Sequence, residues 1–80
     1  MNRNDIVFKI TEVISQIAGV FEDINESDRL KEDLGLDSLS IVSLIALLED
    51  KFNIVFDDSD LDPELLTDVK SIADLSEKYL

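Results

Sequence analysis

The chain has 80 residues, with no cysteine, no histidine, and 7 Lys+Arg against 19 Asp+Glu, a formal net charge of -12 at pH 7. That balance argues against nucleic-acid binding, because neutralising a phosphate backbone requires a basic patch. With 45% hydrophobic residues the chain is too apolar to stay disordered despite its charge, so one small acidic folded domain over residues 1–80 is expected.

Ile6, Ile10, Val13, Ile14 and Ile17 open the chain with one apolar stripe at helical spacing. Asn2 or Asn4 is placed to cap its start and Gly19 to end it, which predicts a helix over about 4–18. A long acidic connection follows from Val20 to about Asp37. Phe21, Ile24, Leu30, Leu34 and Leu36 recur through it as anchors to a core. A connection of this length without a strong element of its own is often functional. Ile41, Leu44, Ile45, Leu48 and Phe52 mark a second helix over about 38–51, capped by Asp37, with Ser40, Ser43, Leu47 and Asp50 on the opposite face and Leu39 and Ala46 beside it. Ile54, Val55 and Phe56 are expected to tuck inward from a second acidic loop. Asp62-Pro63 reads as a cap and first-turn proline opening a short helix to Leu66. Val69, Ile72, Ala73, Ser76 and Tyr79 draw a last helix, capped by Thr67 or Asp68. The fold class is all-α: a small bundle of three longer helices plus a short third one, with a long loop between the first two.

The longest apolar run, Leu44 to Leu48, is far short of the roughly 20 residues that cross a bilayer. No membrane insertion is expected, and the first ten residues do not read as a signal peptide. The absent cysteines exclude a disulfide framework and are compatible with a cytoplasmic setting. Without histidine or cysteine the chain supplies no Ser-His, Cys-His or His-metal arrangement, so it is not expected to be an enzyme. Asp58, Asp60 and Asp62 imitate the first ligands of a calcium loop, but the sixth and twelfth positions hold Pro63 and Val69 instead of Gly and Glu. No metal site is expected.

The segment Asp33-Leu34-Gly35-Leu36-Asp37-Ser38-Leu39-Ser40 is more informative. Gly35 permits a tight turn, Leu34 and Leu36 anchor it, and Asp37 caps the helix that begins at Ser38. A phosphate ester on Ser38 would meet free backbone amides and the positive end of the helix dipole. Asp-Ser at a helix start is also what ordinary capping produces. By these residues alone both readings stand.

The run DLGLDSLS resembles the attachment site of acyl carrier proteins, and the resemblance extends through SLSIVSLIALLEDKFNI to TDVKSIADLSEKYL over nearly the whole chain. It implies a 4′-phosphopantetheine arm on Ser38, oriented by Asp37, and attached by a separate phosphopantetheinyl transferase. It also implies acyl-loading and chain-extending enzymes as partners, for fatty-acid, polyketide or related synthesis, with the carrier itself a monomer. Leu39, Ser40, Ser43, Ala46, Leu47, Glu49 and Asp50 fall on the face by which the family meets its enzymes. Glu49 and Asp50 match the family's acids there. Ser40 and Ser43 replace two others and Ala46 replaces a frequent methionine, which points to a specialised carrier. A carrier of aminoacyl, D-alanyl or peptidyl groups is one alternative. An acidic helical adaptor in which Ser38 serves only the helix start is another.

Overall fold

In a computed structural model, which describes residues 1–19 and 23–80, three α-helices form the protein: α1 (Arg3–Ala18), α2 (Ser38–Phe52) and α3 (Val69–Tyr79), with a single 3-10 turn at Asp58–Asp60. There is no strand among the described residues, only an isolated bridge between Arg29 and Asp68. Phe21, expected among the anchors of the long connection, lies outside the described residues together with Val20 and Glu22.

Each helix starts where a short polar side chain meets an unpaired amide. Asn2 accepts from the Asp5 amide at 2.9 Å, Asp37 from the Ser40 amide at 2.8 Å, and Asp68 from the Ser71 amide at 2.8 Å. Ser71 returns the last bond by accepting from the Asp68 amide, closing a capping box. α1 ends on Gly19 in the left-handed region, φ 70°, with its amide on Ser15 O.

α1 packs against both α2 and α3 and is the hub of the bundle. Its fully buried Ile10 and Ile14 meet a core that includes Leu44 and Leu48 from α2 and Ile72 and Ala73 from α3. The long connection contributes Leu30, Leu34 and Leu36 to the same core, as the apolar spacing predicts. It is also sewn to the start of α3 through its backbone: Leu30 N donates to Thr67 O at 2.9 Å, Val69 N to Asp28 O at 3.1 Å, and Lys70 N to Glu26 O at 2.9 Å. Arg3 adds a charged clamp, reaching Glu26 at 2.6 Å, Asp74 at 2.9 Å and Glu77 at 3.3 Å. These acids raise its already high pKa further, the Glu26 hydrogen bond most of all.

Two local expectations are corrected. Asp62–Leu66 is not a helix but one turn, in which the amides of Leu65 and Leu66 both return to Asp62 O. The turn cannot propagate because the next amide, Thr67 N, is taken by Ser71 Oγ at the start of α3, and a single turn does not repay helix nucleation. Val55 does not tuck inward but is 81% exposed. Its neighbours take the inward positions, Phe56 buried in the core and Ile54 partly buried against it.

Phe56 is held edge-on by Tyr79, ring centroids 5.1 Å apart. The Tyr79 hydroxyl accepts from Asp57 N at 2.8 Å and donates to Asp60, which also receives Lys78 Nζ at 2.9 Å. The Tyr79 hydrogen bond, and after it Lys78, holds the Asp60 carboxyl below its usual range. A depressed acid stabilises the fold above its unfolded pKa, and that contribution is lost as pH falls through the folded one. Tyr79→Phe should therefore lower the melting temperature at neutral pH, with the gap to wild type narrowing as the pH drops below the carboxylate range. Thermal melts of both proteins between pH 7 and pH 3 check this. A gap that does not change with pH would contradict it.

Candidate functional site

Ser38 is the first residue of α2, and it is exposed. The turn before it is built from its own backbone: Asp33 N and Leu34 N both donate to Arg29 O, Gly35 N to Lys31 O at 3.2 Å, and Leu36 N to Leu30 O at 2.9 Å. Gly35 stands at φ 68°, where a side chain is strained. With Leu34 and Leu36 buried on either side, the turn presents Asp37 and Ser38 in one orientation. Asp37 spends its carboxylate on the helix start. The bond from the Ser40 amide, above all, holds that carboxyl below its ordinary range. Asp37 thus fixes the start of the helix whose first residue is Ser38.

Beside Ser38 opens an apolar cleft of about 320 Å³. One wall is a stripe of α2: Ser38, Ile41, Val42, Ile45, Ala46 and Glu49. These stand at helical spacing over about 16 Å from the serine to the glutamate. The other wall is Leu61, Pro63 and Leu66 from the 58–66 segment, with Lys31 from the turn at the edge. α2 is thus apolar on two faces, one packed in the core and one along the cleft. The second stripe goes beyond what the sequence reading predicts, although its helical spacing is a signal for it. Val42, 66% exposed, belongs to it.

The residues expected on the partner face divide between two sides. Leu39, Ser43, Leu47 and Asp50 turn outward and are exposed, Leu39 at 78% and Leu47 at 43%. Ser40 is half-buried. Ala46 and Glu49 sit on the cleft side. Glu49 is half-buried and its Oε2 accepts from the Phe56 amide at 2.8 Å, so this acid pins the loop after α2.

The arrangement meets the demands of a covalent arm. The hydroxyl is reachable, the helix start favours an attached anion, and apolar surface lies alongside. Among the described residues no helix is long and apolar enough to cross a membrane.

The comparisons with known proteins agree with this chemistry. A family model described as the phosphopantetheine attachment site matches residues 9–78. The acyl carrier protein of Buchnera aphidicola subsp. Baizongia pistaciae is 44% identical over 73 residues, covering 90% of this chain and 91% of the relative. That of Thermotoga maritima is 38% identical over 80 residues, covering 99% and 96%. Among solved structures, one described as an acyl carrier protein of Mycobacterium tuberculosis superposes with a TM-score of 0.81 at 27% identity, over 91% of this chain and 96% of that one. A chain in the crystal structure of Bradyrhizobium japonicum glycine:[carrier protein] ligase complexed with glycylated carrier protein gives a TM-score of 0.68 at 25% identity, over 91% and 96%. Helical architecture, a serine held at a helix start and a match along most of the chain converge: it belongs to the acyl carrier protein family, and its cofactor is 4′-phosphopantetheine.

Proposed function

We propose that Ser38 is the attachment point of the arm and that the protein carries acyl intermediates as thioesters between enzymes of fatty-acid, polyketide or related synthesis, as a specialised carrier. The observation that supports this most is the exposed Ser38 at the mouth of the apolar cleft. A phosphopantetheinyl transferase joins the Ser38 hydroxyl to the phosphate of the pantetheine half of coenzyme A, and the nucleotide half leaves. The thiol at the end of the arm then bears the acyl group, while the nucleophiles and bases belong to the partner enzymes. A chain without histidine or cysteine places no imidazole or thiol beside that thioester. Incubation with a broad-range transferase, magnesium and coenzyme A, followed by intact mass and peptide mapping, tests the assignment. A mass gain mapped away from Ser38 would refute it.

A second reading, a carrier of aminoacyl groups, is favoured by the similarity to the glycine:[carrier protein] ligase structure complexed with glycylated carrier protein. Identifying the group carried by protein from its native source separates the two.

Leu39, Ser40, Ser43 and Leu47, with Asp50, form the proposed docking face. It carries little charge, so partner contacts should depend on apolar burial. Covering a leucine contributes roughly 1.5–3 kcal/mol, against under about 1 kcal/mol for an exposed ion pair. Leu39→Ala or Leu47→Ala should weaken a cognate enzyme more than Asp50→Asn does, measured as KM for the carrier. A larger effect of Asp50→Asn would overturn the apolar interface.

A further inference from the structure

Resting on Ser38 as the attachment point, we propose that Lys31 is the positioning residue of the arm, pairing with the phosphodiester that links it to the protein and holding the arm over the mouth of the cleft.

Of the 7 Lys and Arg residues, Arg3, Arg29, Lys51, Lys70 and Lys78 each sit within ion-pairing distance of a carboxylate. Lys9 and Lys31 have no such partner among the described residues, in a chain with a large excess of acids, and of the two only Lys31 lines the cleft beside Ser38. The reason is local. Its sequence neighbours Glu32 and Asp33 both turn to Arg29, at 3.9 and 3.3 Å, and Asp33 also accepts from the Arg29 amide at 2.7 Å. Arg29 thus absorbs the nearby acids and leaves the Lys31 ammonium without a counter-charge among the described residues.

Lys31 is also fixed relative to the serine. Its carbonyl accepts the Gly35 amide within the turn that leads into Ser38, and its side chain lines the same cleft as Ser38. A lysine in such a place lays its aliphatic stem along the apolar wall and keeps its charged end at the rim. A phosphodiester on Ser38 puts a new negative charge at that rim, close to the carboxylate of Asp37. Lys31 is the cation that offsets it. The other ionisable group of the cleft, Glu49, stands about 16 Å further along α2 and is bonded to the Phe56 amide. The anion in question is the phosphodiester and not a carboxylate on the cargo, because the cargo is an arm's length from Ser38 whereas the phosphate is bonded to its Oγ.

The test uses protein bearing the unacylated arm, which has no carboxylate, after mass spectrometry has placed the arm on Ser38. Phosphorus-31 relaxation and the Nζ resonances of isotopically labelled lysines are compared in wild type, Lys31→Met and Lys31→Arg. Met keeps an apolar stem in the wall, and circular dichroism checks that the helices persist. The expected result is that attaching the arm shifts the Lys31 Nζ signal. Phosphorus relaxation should report a docked arm in wild type and Lys31→Arg and a freer one in Lys31→Met. A single exposed pair changes the docked-to-free ratio by up to about fivefold, and added salt should bring wild type toward Lys31→Met. Identical relaxation in wild type and Lys31→Met would overturn the proposal. So would an effect that appears only when the arm bears a carboxyl-terminated acyl group such as succinyl. Failure to place any arm on Ser38 would instead remove the attachment reading, and with it the anion that Lys31 meets.

Discussion

Ser38→Ala should lose the mass gain from coenzyme A completely while the helices stay folded. The loss is complete because no other serine shares the geometry. Ser43 lies inside α2, a full turn beyond its start, and Ser40 is half-buried with its amide committed to Asp37. The fold survives because Asp37, not Ser38, caps α2 and because alanine is the best helix former. An exposed substitution of this kind changes stability by no more than about 0.5 kcal/mol. Intact mass after transferase treatment, paired with a thermal melt, reads both halves. A variant that is still modified, or one that unfolds, would contradict the assignment.

Ile14→Ala should be the most destabilising of the single changes considered. Ile14 is fully buried on α1, the helix against which both others pack. Removing such a side chain costs about 2–5 kcal/mol. A chain of 80 residues has about 4–12 kcal/mol in all, at roughly 0.05–0.15 kcal/mol per residue. The melting temperature should fall by about 10 °C or more, since each kcal/mol moves it by roughly 4–8 °C in a domain this small. Ser76→Ala makes the contrast. Ser76 is just as buried, but its hydroxyl only doubles a helical carbonyl's bonding, on Ile72 O at 2.9 Å, and its loss should be close to neutral. Denaturation of the two variants side by side decides whether burial or hydrogen bonding governs this core. An equal loss for both would contradict the account.

The strong helices were legible because one apolar stripe and one cap define each, and both signals are local. Asn2, Asp37 and Asp68 all cap where short polar residues precede an apolar stripe. The long connection was legible as a pinned segment for the same reason: Leu30, Leu34 and Leu36 are buried. What failed depended on partners distant in sequence. Whether Asp62-Pro63 opens a helix is decided by Ser71 taking the Thr67 amide. The 3-10 turn at Asp58–Asp60 follows from Asp57 accepting the Ser59 amide at 3.0 Å, and Tyr79 and Lys78 hold the segment down. The serine's setting could be read from LGLDSL because turn, anchors and cap are contiguous. The cleft could not, since its far wall, Leu61, Pro63 and Leu66, comes from a segment whose conformation is set by contacts distant in sequence. The role of Glu49 is hidden from the sequence for a similar reason: the Phe56 amide it binds lies across a loop.

The division of α2 into separate faces has an evolutionary corollary. Leu39, Ser43 and Leu47 point to one side, whereas Ile41, Val42 and Ala46 line another. After a gene duplication, mutation can alter the outward side of one copy while its cleft stays intact, or reshape the cleft while the outward side is kept. Ile45 escapes this freedom, because it lies both in the core and along the cleft. Variation in a set of descendants should accordingly pool on the outward face and thin out at position 45.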